Sequence, residues 1–320
     1  MIIYGAGMSG LLAATMLRRF EPVIHEAASE LPNNHAALLR FRTDAVSKAT
    51  GIPFKKVWVQ KAVMGEDMKL QSHATIKDQN CYSLKVSGEV RGRSIENLAP
   101  GERYIAPPDF IAQLSKGLNI QYSSALGSEE AKNQFRKNAV ISTIPMNLLM
   151  RMVGWSDVPA FKYKEIATLT ADIIAPEIEV YQTIYYLYDN IPAYRASITG
   201  NKLIIEFMDS PVYGWENLGQ AEFELSIKTY LMHLVGSRVA GQASFENIKL
   251  KKQKYGKLVS STGKMGKEFI LAMTDLYGIY SLGRFATWRQ ILMDDVVKDV
   301  KVIEQLIEQR DNYSRRLKIV

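Results

Sequence analysis

The stretch MIIYGAGMSGLLAATMLRRFEPVIHEAAS, residues 1–29, decides the fold of this chain. Residues 1–4 form a short apolar run, and the glycine-rich motif GxGxxG follows at once. From Ser9 to Phe20 the apolar residues recur with helical spacing, and a second apolar run then ends at Glu26. This order of strand, glycine turn, helix, strand and acid predicts a βαβ unit.

Each glycine of the motif has its own structural task. Gly5 permits the tight turn, Gly7 lets a pyrophosphate approach the backbone, and Gly10 lets the helix pack closely on the strand. The start of the helix offers free N–H groups and a partial positive charge to phosphates. Glu26 lies 21 positions after Gly5, where an acid can bind ribose hydroxyls. The unit therefore predicts a dinucleotide site.

A longer pattern in the same helix points to one dinucleotide. The pattern Gly10-Leu11-x-x-Ala14-x-x-Leu17 resembles the FAD-binding signature of the flavoprotein superfamily that includes amine oxidases and UDP-galactopyranose mutases. The acid at Glu26 disfavours a 2′-phosphate and therefore NADP. One departure is that Glu21-Pro22 stands where the family usually has a glycine. The resemblance implies FAD as the cofactor.

Two distant segments extend the resemblance. Residues 138–149, NAVISTIPMNLL, predict a buried strand, a turn at Pro145 and the start of a helix. Residues 278–309 predict a strand, a Gly283-Arg284 turn and a long helix from about Met293. Both resemble segments of the same superfamily, which implies that the flavin meets the closing turn and the helix N-terminus. That positive helix end would favour an anionic reduced flavin.

These segments together give the set of cofactor-binding residues. The predicted set comprises Gly5, Gly7, Met8, Ser9, Gly10, Glu26, Ala27, Arg40, Thr143, Gly283, Arg284, Met293, Asp294 and Val296. For Asp294 and its neighbour Asp295, capping of the helix is an equal alternative. His35, Arg40 and Arg42 can face the flavin or an anionic ligand, with a solvated basic surface as the alternative.

The apolar period changes to two between Ala167 and Met208, which predicts an antiparallel sheet. The expected fold class is α/β, with a Rossmann-like FAD-binding domain assembled from N-terminal, central and C-terminal segments and an inserted antiparallel-sheet substrate domain. The predicted FAD-binding domain comprises residues 1–60, 100–150 and 268–320, and the predicted substrate domain comprises residues 61–99 and 151–267.

The predicted sheet carries candidates for contact with the substrate. Arg195 is an isolated cation in an apolar strand, and its unpaired burial would be costly, which suggests anion recognition. Tyr186 can line a substrate pocket, although packing is the alternative for such tyrosines. The candidate catalytic residues are thus Arg195, Tyr186 and Trp288, with the main chemistry on flavin N5.

The charge of the chain favours an anionic partner. Its 320 residues have a formal net charge of +7, which suits a small or nucleotide-type anionic substrate, or a nucleic acid. Seven lysines fall within Lys249–Lys267. A solvated loop is the main expectation for this run, and contact with DNA phosphates is the alternative. A merely basic surface also explains the charge.

Cys81 is the only cysteine, and the four histidines never stand at i, i+4 spacing. We therefore expect no disulfide and no metal site. The start of the chain lacks the features of a signal peptide, and no apolar run reaches about 18 residues. These observations predict a cytoplasmic protein without a membrane contact.

Three functions follow from the resemblance. The first is an amine-oxidase-like FAD-dependent oxidoreductase that oxidises or cleaves a C–N bond of an amino-bearing substrate, which includes an amino-modified nucleobase in DNA. The second is a mutase-like enzyme in which reduced flavin N5 attacks a nucleotide sugar. The third is a flavin-binding protein without turnover. The sequence leaves the substrate, the electron acceptor and the oligomeric state open.

Overall fold

The structure, a computed structural model, describes residues 1–31, 40–90, 95–127, 139–175, 179–208, 220–259 and 262–317, without the side chains of 220–223 and 311–317. Its helices are α1 (Met8–Met16), α2 (Ala45–Thr50), α3 (Ile76–Ser87), α4 (Phe110–Ser115), α5 (Met146–Met152), α6 (Gln220–Val235), α7 (Ser237–Gln242), α8 (Gly263–Tyr277) and α9 (Met293–Leu317). Its strands are β1 (Ile2–Tyr4), β2 (Val23–His25), β3 (Arg40–Phe41), β4 (Lys55–Met64), β5 (Leu70–Gln71), β6 (Gly101–Ile105), β7 (Asn119–Gln121), β8 (Val140–Ser142), β9 (Tyr163–Ile174), β10 (Val180–Tyr186), β11 (Ala193–Gly200), β12 (Lys202–Met208), β13 (Ser244–Leu258) and β14 (Ile279–Ser281).

A parallel sheet joins the three segments that carry the FAD-like motifs. Within the described ranges its five strands lie in the order β14-β8-β1-β2-β7, with β1 at the centre. Ile3 packs into a core with α1, α4 and α9 on one face, while Val140 packs with α5 and α8 on the other. Because helices cover both faces, the central strand β1 and its neighbour β8 are mainly apolar and buried. The predicted Rossmann-like α/β fold is confirmed.

The glycine turn fits this sheet only with glycine at two positions. Gly5 has a φ of +100°, and a Cβ there would overlap the hydroxyl of Thr143. A Cβ on Gly10 would overlap the carbonyl oxygen of Gly5. The first conformation is unfavourable for residues with a side chain, and the second contact sets how closely α1 approaches β1.

A second, mixed sheet contains the predicted antiparallel segment. Among the described residues, its nine strands follow the order β13-β9-β12-β11-β10-β4-β6-β3, with β5 beside β4. All of these pairs are antiparallel except β10 with β4. The antiparallel sheet predicted between Ala167 and Met208 is therefore confirmed. Strands from both predicted domains contribute to it, and the domain boundaries themselves stay a prediction.

The two faces of the large sheet differ in chemistry. One face, with Leu169 and Ile205, packs against Leu231 of α6 in an apolar core. We call the opposite face the polar face, because buried hydroxyl and charged side chains occupy it. Its members include Thr168, Thr170, Thr183, Ser197 and Glu206. Hydroxyl groups buried on a sheet face are suited to hold a polar ligand.

The lysine run is not the solvated loop that we expected. Residues 244–258 form β13, an edge strand that pairs with β9, and α8 begins at Gly263. Leu250 packs on the apolar core while Lys249 and Lys252 on the same strand are exposed. Lysines on an edge strand discourage the strand from pairing with another chain. This protection of the sheet edge accounts for the many lysines, and no bound ligand is needed to explain them.

In the part of the chain that the structure describes, we find no helix both long and apolar enough to span a membrane.

Candidate cofactor and substrate site

The acid at the end of β2 is held by the backbone around the glycine turn. The buried Glu26 accepts a hydrogen bond from the N–H of Ala6 at 2.6 Å through Oε2. Its other oxygen, Oε1, accepts one from the N–H of Ala28 at 2.9 Å. Each carboxylate oxygen has a further lone pair, so a fixed Glu26 can still accept from a ligand hydroxyl. Ala27, also predicted at this site, is exposed.

The start of α1 is open to a ligand. Gly7 is its N-cap residue, and no side chain caps this helix end. A Cβ on Gly7 would meet nothing within 4 Å. The closing turn lies against the same helix end, because a Cβ on Gly283 would come within 2.6 Å of the Ser9 hydroxyl. The N-terminal and C-terminal motifs therefore meet at the start of α1.

A cavity of about 450 Å³, which we call the cofactor cavity, extends between these turns and the start of α9. Many of the predicted cofactor residues line it, namely Gly7, Met8, Ser9, Thr143, Gly283, Arg284, Met293 and Val296. Helix starts at two of its walls present partial positive charge. Tertiary structure thus brings together three sequence segments that each predicted a cofactor contact.

Sequence reasoning missed one wall of this cavity. Gln253, Tyr255 and Gly256 of β13 also line it. A Cβ on Gly256 would overlap Ile166 of the neighbouring strand, so glycine is required there for the close approach of the two strands. Tyr255 inside the lysine run was the available signal, since tyrosine is enriched in strands.

Asp294 has a different partner from the one predicted. It is buried at the start of α9, and its Oδ1 accepts from the backbone N–H of Thr43 at 2.9 Å and from the Thr43 hydroxyl. Asp295 accepts from the N–H of Leu292 at 3.0 Å and so caps the helix, which was the alternative. The role of Asp294 in the structure is to join α9 to the segment that follows β3.

A second cavity of about 520 Å³, the substrate cavity, adjoins the first. The two share Arg284, Ile291 and Leu292 in their walls. The charged side chains around the substrate cavity are Arg42, Arg195, Lys257 and Arg284 against Glu96 and Asp295. Its lining therefore carries an excess of positive charge, which favours a negatively charged ligand.

Arg195 reaches this cavity but is not the isolated cation that we expected. A bulge in β11 between Ala193 and Arg195 turns both Tyr194 and Arg195 toward Glu206 of β12. Tyr194 donates to Glu206 Oε1 at 2.8 Å, and Arg195 pairs with Oε2. Burial alone would raise the pKa of Glu206, but the charges of Arg195 and Lys257 outweigh burial and lower this pKa to about 2. Glu206 is therefore ionised and holds Arg195 in place.

Two other predicted arginines keep buried donors without a protein partner. Arg40 donates through Nη2 to the Thr183 hydroxyl at 2.9 Å, while its Nη1 has no partner among the described residues. Arg284 Nε is likewise buried and lacks a partner within the described ranges. Burial lowers the pKa of Arg284. Donors of this kind are expected where a ligand supplies the acceptor. His35 lies outside the described residues.

The remaining candidates, Tyr186 and Trp288, are core residues. Tyr186 is fully buried on the apolar face, and its hydroxyl lies 3.2 Å from His233 Nδ1 of α6. Because side chains alternate along β10, it is Tyr185 that lies on the polar face, opposite Arg195. Trp288 is buried against the ring of Phe161, with centroids 4.7 Å apart. Neither residue lines the cofactor cavity or the substrate cavity, and both pack in the core.

Comparison with known proteins gives structural relatives only. No family model matches the chain, and no curated protein sequence does. Reduced UDP-galactopyranose mutase matches with a TM-score of 0.65 at 14% identity, covering 96% of this chain and 93% of the mutase. A geranylgeranyl bacteriochlorophyll reductase-like protein from Thermoplasma acidophilum gives a TM-score of 0.54 at 14% identity, covering 99% and 82%.

A variant of putrescine oxidase gives a TM-score of 0.54 at 11% identity, covering 96% of this chain and 98% of the oxidase. Both a mutase and an amine oxidase therefore align over nearly the whole chain. Identities this low speak for the fold alone. The chain therefore has the fold of reduced UDP-galactopyranose mutase and of the putrescine oxidase variant, and this is the fold that its motifs implied.

Proposed function

We propose that the protein is an FAD-dependent enzyme. The observation that carries the proposal is the cofactor cavity, around which the glycine turn, the Gly283-Arg284 turn and the start of α9 meet. These three segments predicted contacts with FAD from the sequence, and they come from opposite ends of the chain. A simple glycine turn would not require the other two segments.

The residues present fit FAD. The open space beside Gly7 and the uncapped start of α1 suit a pyrophosphate, which would accept from backbone N–H groups. Glu26, fixed by two backbone donors, suits the ribose hydroxyls. The start of α9, with Met293 and Val296 in the cavity wall, suits the isoalloxazine ring. Bound FAD would supply the redox or nucleophilic chemistry.

The chain itself would contribute binding and electrostatics. The positive end of α9 would stabilise negative charge beside it. Phe285, Ile291 and Leu292 would exclude water from the cofactor cavity, and the last two also border the substrate cavity. Arg195, oriented by Glu206, would donate hydrogen bonds to an anionic group of the substrate. Substrate orientation is thus the main task that we assign to the protein.

The charge of the substrate cavity bears on the reaction. A free amine is protonated near neutral pH, and the excess of arginine and lysine around this cavity would repel it. A nucleotide sugar, with its negative phosphates, suits the same lining. We therefore favour mutase-like chemistry on a phosphate-bearing substrate over oxidation of a simple amine.

Oxidation at a C–N bond remains a candidate for a substrate that is anionic overall. An amino-modified nucleobase in DNA meets this condition, because its phosphates would accompany the amine. Lys249 and Lys252 on the exposed edge β13 are the residues that could contact such phosphates. Steep loss of DNA binding with added salt would support this candidate.

The cofactor proposal is tested by spectroscopy of the purified protein after addition of FAD. Flavin bands at about 370 and 450 nm that remain after gel filtration are the expected result. A Gly7→Ala variant should fold normally yet bind FAD about tenfold or more weakly, because its methyl group enters the space for the pyrophosphate. Gly241→Ala is the matched control, since a Cβ there also meets nothing within 4 Å.

The reaction is then sorted by flavin absorbance without oxygen. Bleaching of oxidised flavin by an amino-bearing substrate would support oxidation. Turnover of a nucleotide sugar only after prior reduction by dithionite would support mutase-like chemistry. A bound flavin that neither dithionite nor any of these substrates affects would favour the non-catalytic alternative. A protein unable to retain FAD would contradict the whole proposal.

A further inference from the structure

The polar face brings three cations together at one end of the large sheet. Lys61 of β4 stands opposite Thr183 of β10, and the Thr183 hydroxyl accepts from Arg40. Arg103 comes from β6, which pairs with both β3 and β4. All three cations lie near Tyr185. We call Arg40, Lys61 and Arg103 the cation cluster.

Each member of the cluster donates to a neutral oxygen. Arg40 bonds the Thr183 hydroxyl, Lys61 donates to the carbonyl of Asn97 at 3.2 Å, and Arg103 donates to the carbonyl of Glu102 at 2.6 Å. Among the described residues, none of the three forms an ion pair with a carboxylate. Arg40 Nη1 in addition is buried without a partner in the described ranges. The carboxylates of Glu206 and Asp294 raise the pKa of Arg40 and of Arg103 respectively, but each effect is smaller than that of burial and of the neighbouring arginine. Within the described ranges, the cluster therefore has only distant negative charges and no ion pair.

This arrangement is unfavourable without an anion. Burial, followed by the charge of Arg195, lowers the pKa of Arg40 to about 10. Burial lowers the pKa of Lys61 and of Arg103 as well, and a neighbouring arginine is the second cause in both cases. Half-buried cations that repel one another destabilise the fold unless an anion offsets their charge. Groups with perturbed pKa values cluster at functional sites.

The cluster is continuous with the substrate cavity. Arg195 lines that cavity and is the charged neighbour that acts most on Arg40. Arg42, two positions after Arg40, lines the cavity too and is the charged neighbour that acts most on Arg103. A ligand that extends from the cavity along the polar face would therefore reach the cluster.

We infer that the cation cluster binds a phosphoryl group of the substrate, at a distance from the reacting part of that substrate. The inference rests on the proposed function, since it assigns this group to a substrate of the same enzyme. Donors from three different strands suit the several oxygens of a phosphate, whereas a single arginine is sufficient for a carboxylate. The cluster thereby favours phosphorylated substrates over simple carboxylic acids.

The test uses the FAD-loaded protein and isothermal titration with inorganic pyrophosphate at fixed ionic strength. Pyrophosphate should bind, and Arg40→Gln, Lys61→Met and Arg103→Gln should each weaken binding about tenfold or more, as for a lost bond between charged groups. Lys61 is only partly buried, so Lys61→Met remains informative if the arginine variants fail to fold. Lys56→Met is the matched control, because Lys56 lies on the same strand but on its opposite face.

Equal pyrophosphate affinity in the cluster variants and the control would overturn the inference, and so would binding of acetate in preference to pyrophosphate. Competition between pyrophosphate and FAD would assign the anion to the cofactor cavity and overturn it as well. Flavin absorbance keeps the two proposals apart. Retained FAD without pyrophosphate binding contradicts the cluster alone. Cluster-dependent pyrophosphate binding without FAD uptake contradicts the proposed cofactor and supports the anion site.

Discussion

Asp294 and Thr43 lie 251 positions apart in the chain and are joined by two hydrogen bonds to one carboxylate oxygen. The backbone N–H of Thr43 donates at 2.9 Å, and its hydroxyl donates to the same Oδ1. The pair connects the start of α9, in the wall of the cofactor cavity, to the segment after β3, which carries Arg42 of the substrate cavity. One contact therefore joins the walls of the two cavities.

Asp294→Ala should destabilise the protein by about 1–3 kcal/mol, because the backbone N–H and the hydroxyl of Thr43 then lose a charged acceptor. It should also weaken FAD retention, because α9 is no longer anchored. Urea unfolding and flavin absorbance measure the two effects. Thr43→Val removes the hydroxyl bond to Asp294 and the bond from the Ala45 N–H to that hydroxyl at 3.2 Å, but it keeps the backbone bond to Asp294. A double-mutant cycle isolates the pair and should give a coupling of at least about 0.5 kcal/mol. Additive effects of the two substitutions would contradict the pairing.

The Arg195–Glu206 pair predicts a loss of stability in acid. The pKa of Glu206 is lowered in the folded protein to about 2 from 4.5. Its stabilising contribution is therefore present above pH 4.5 and disappears as the pH falls toward 2. A shift of this size corresponds to on the order of 3 kcal/mol. The free energy of unfolding, measured with urea, should fall between pH 6 and pH 3 in the wild type. It should fall less over the same range in Glu206→Gln.

A suitable control is Glu179→Gln, which removes a fully exposed carboxylate paired with Lys55. Because solvent screens exposed pairs, this variant should follow the wild-type pH profile closely. If Glu206→Gln also follows it, the buried pair does not contribute as we infer.

Lys85 connects α3 to the turn between β10 and β11. Its Nζ donates to the carbonyls of Tyr188, Ile191 and Ala193 at 2.6, 2.6 and 2.9 Å. Lys85→Met preserves the length of the side chain but removes the charged donor that three carbonyls share, so it should cost about 2–4 kcal/mol in the free energy of unfolding. Lys77→Met in the same helix removes an exposed pair with Glu66 and should be nearly neutral. Equal stability of both variants would refute the structural role of Lys85.

Substitution by alanine should have different effects at Gly7 and at Gly10. At Gly10 the new Cβ would overlap the carbonyl of Gly5, and overpacking of this kind destabilises by about 1–3 kcal/mol. Gly7→Ala should leave the melting temperature unchanged and weaken only FAD binding. Calorimetry of both variants without cofactor separates packing from binding. A destabilised Gly7→Ala variant would show that this position belongs to the fold and not to the cofactor site.

Local patterns in the sequence were sufficient for much of the fold. The glycine turn, the helix that follows it and the strand before Glu26 depend on contacts between near neighbours. The long closing helix begins at Met293 as expected. Period-two alternation sufficed for the antiparallel strands between Ala167 and Met208.

The candidate site was predictable only in part. Most residues of the predicted cofactor-binding set lie in motifs whose spacing depends on one βαβ unit or one strand-turn-helix unit. The substrate side depends on registers between strands far apart in sequence, and a shift of one residue moves a side chain to the other face. Tyr186 was therefore proposed in place of Tyr185, and the bulge that pairs Arg195 with Glu206 could not be foreseen.

The sequence by itself determined the class of fold, the glycine turn and the three segments that can hold a dinucleotide, because each is a local pattern. Tertiary structure alone decided which charges meet. It placed the lysine run in an edge strand, joined Asp294 to Thr43, and set Arg40 beside Thr183 without an ion pair among the described residues. The physical reason is that side-chain pairing across sheets is fixed by packing of the whole chain, whereas helices and turns are fixed by neighbours.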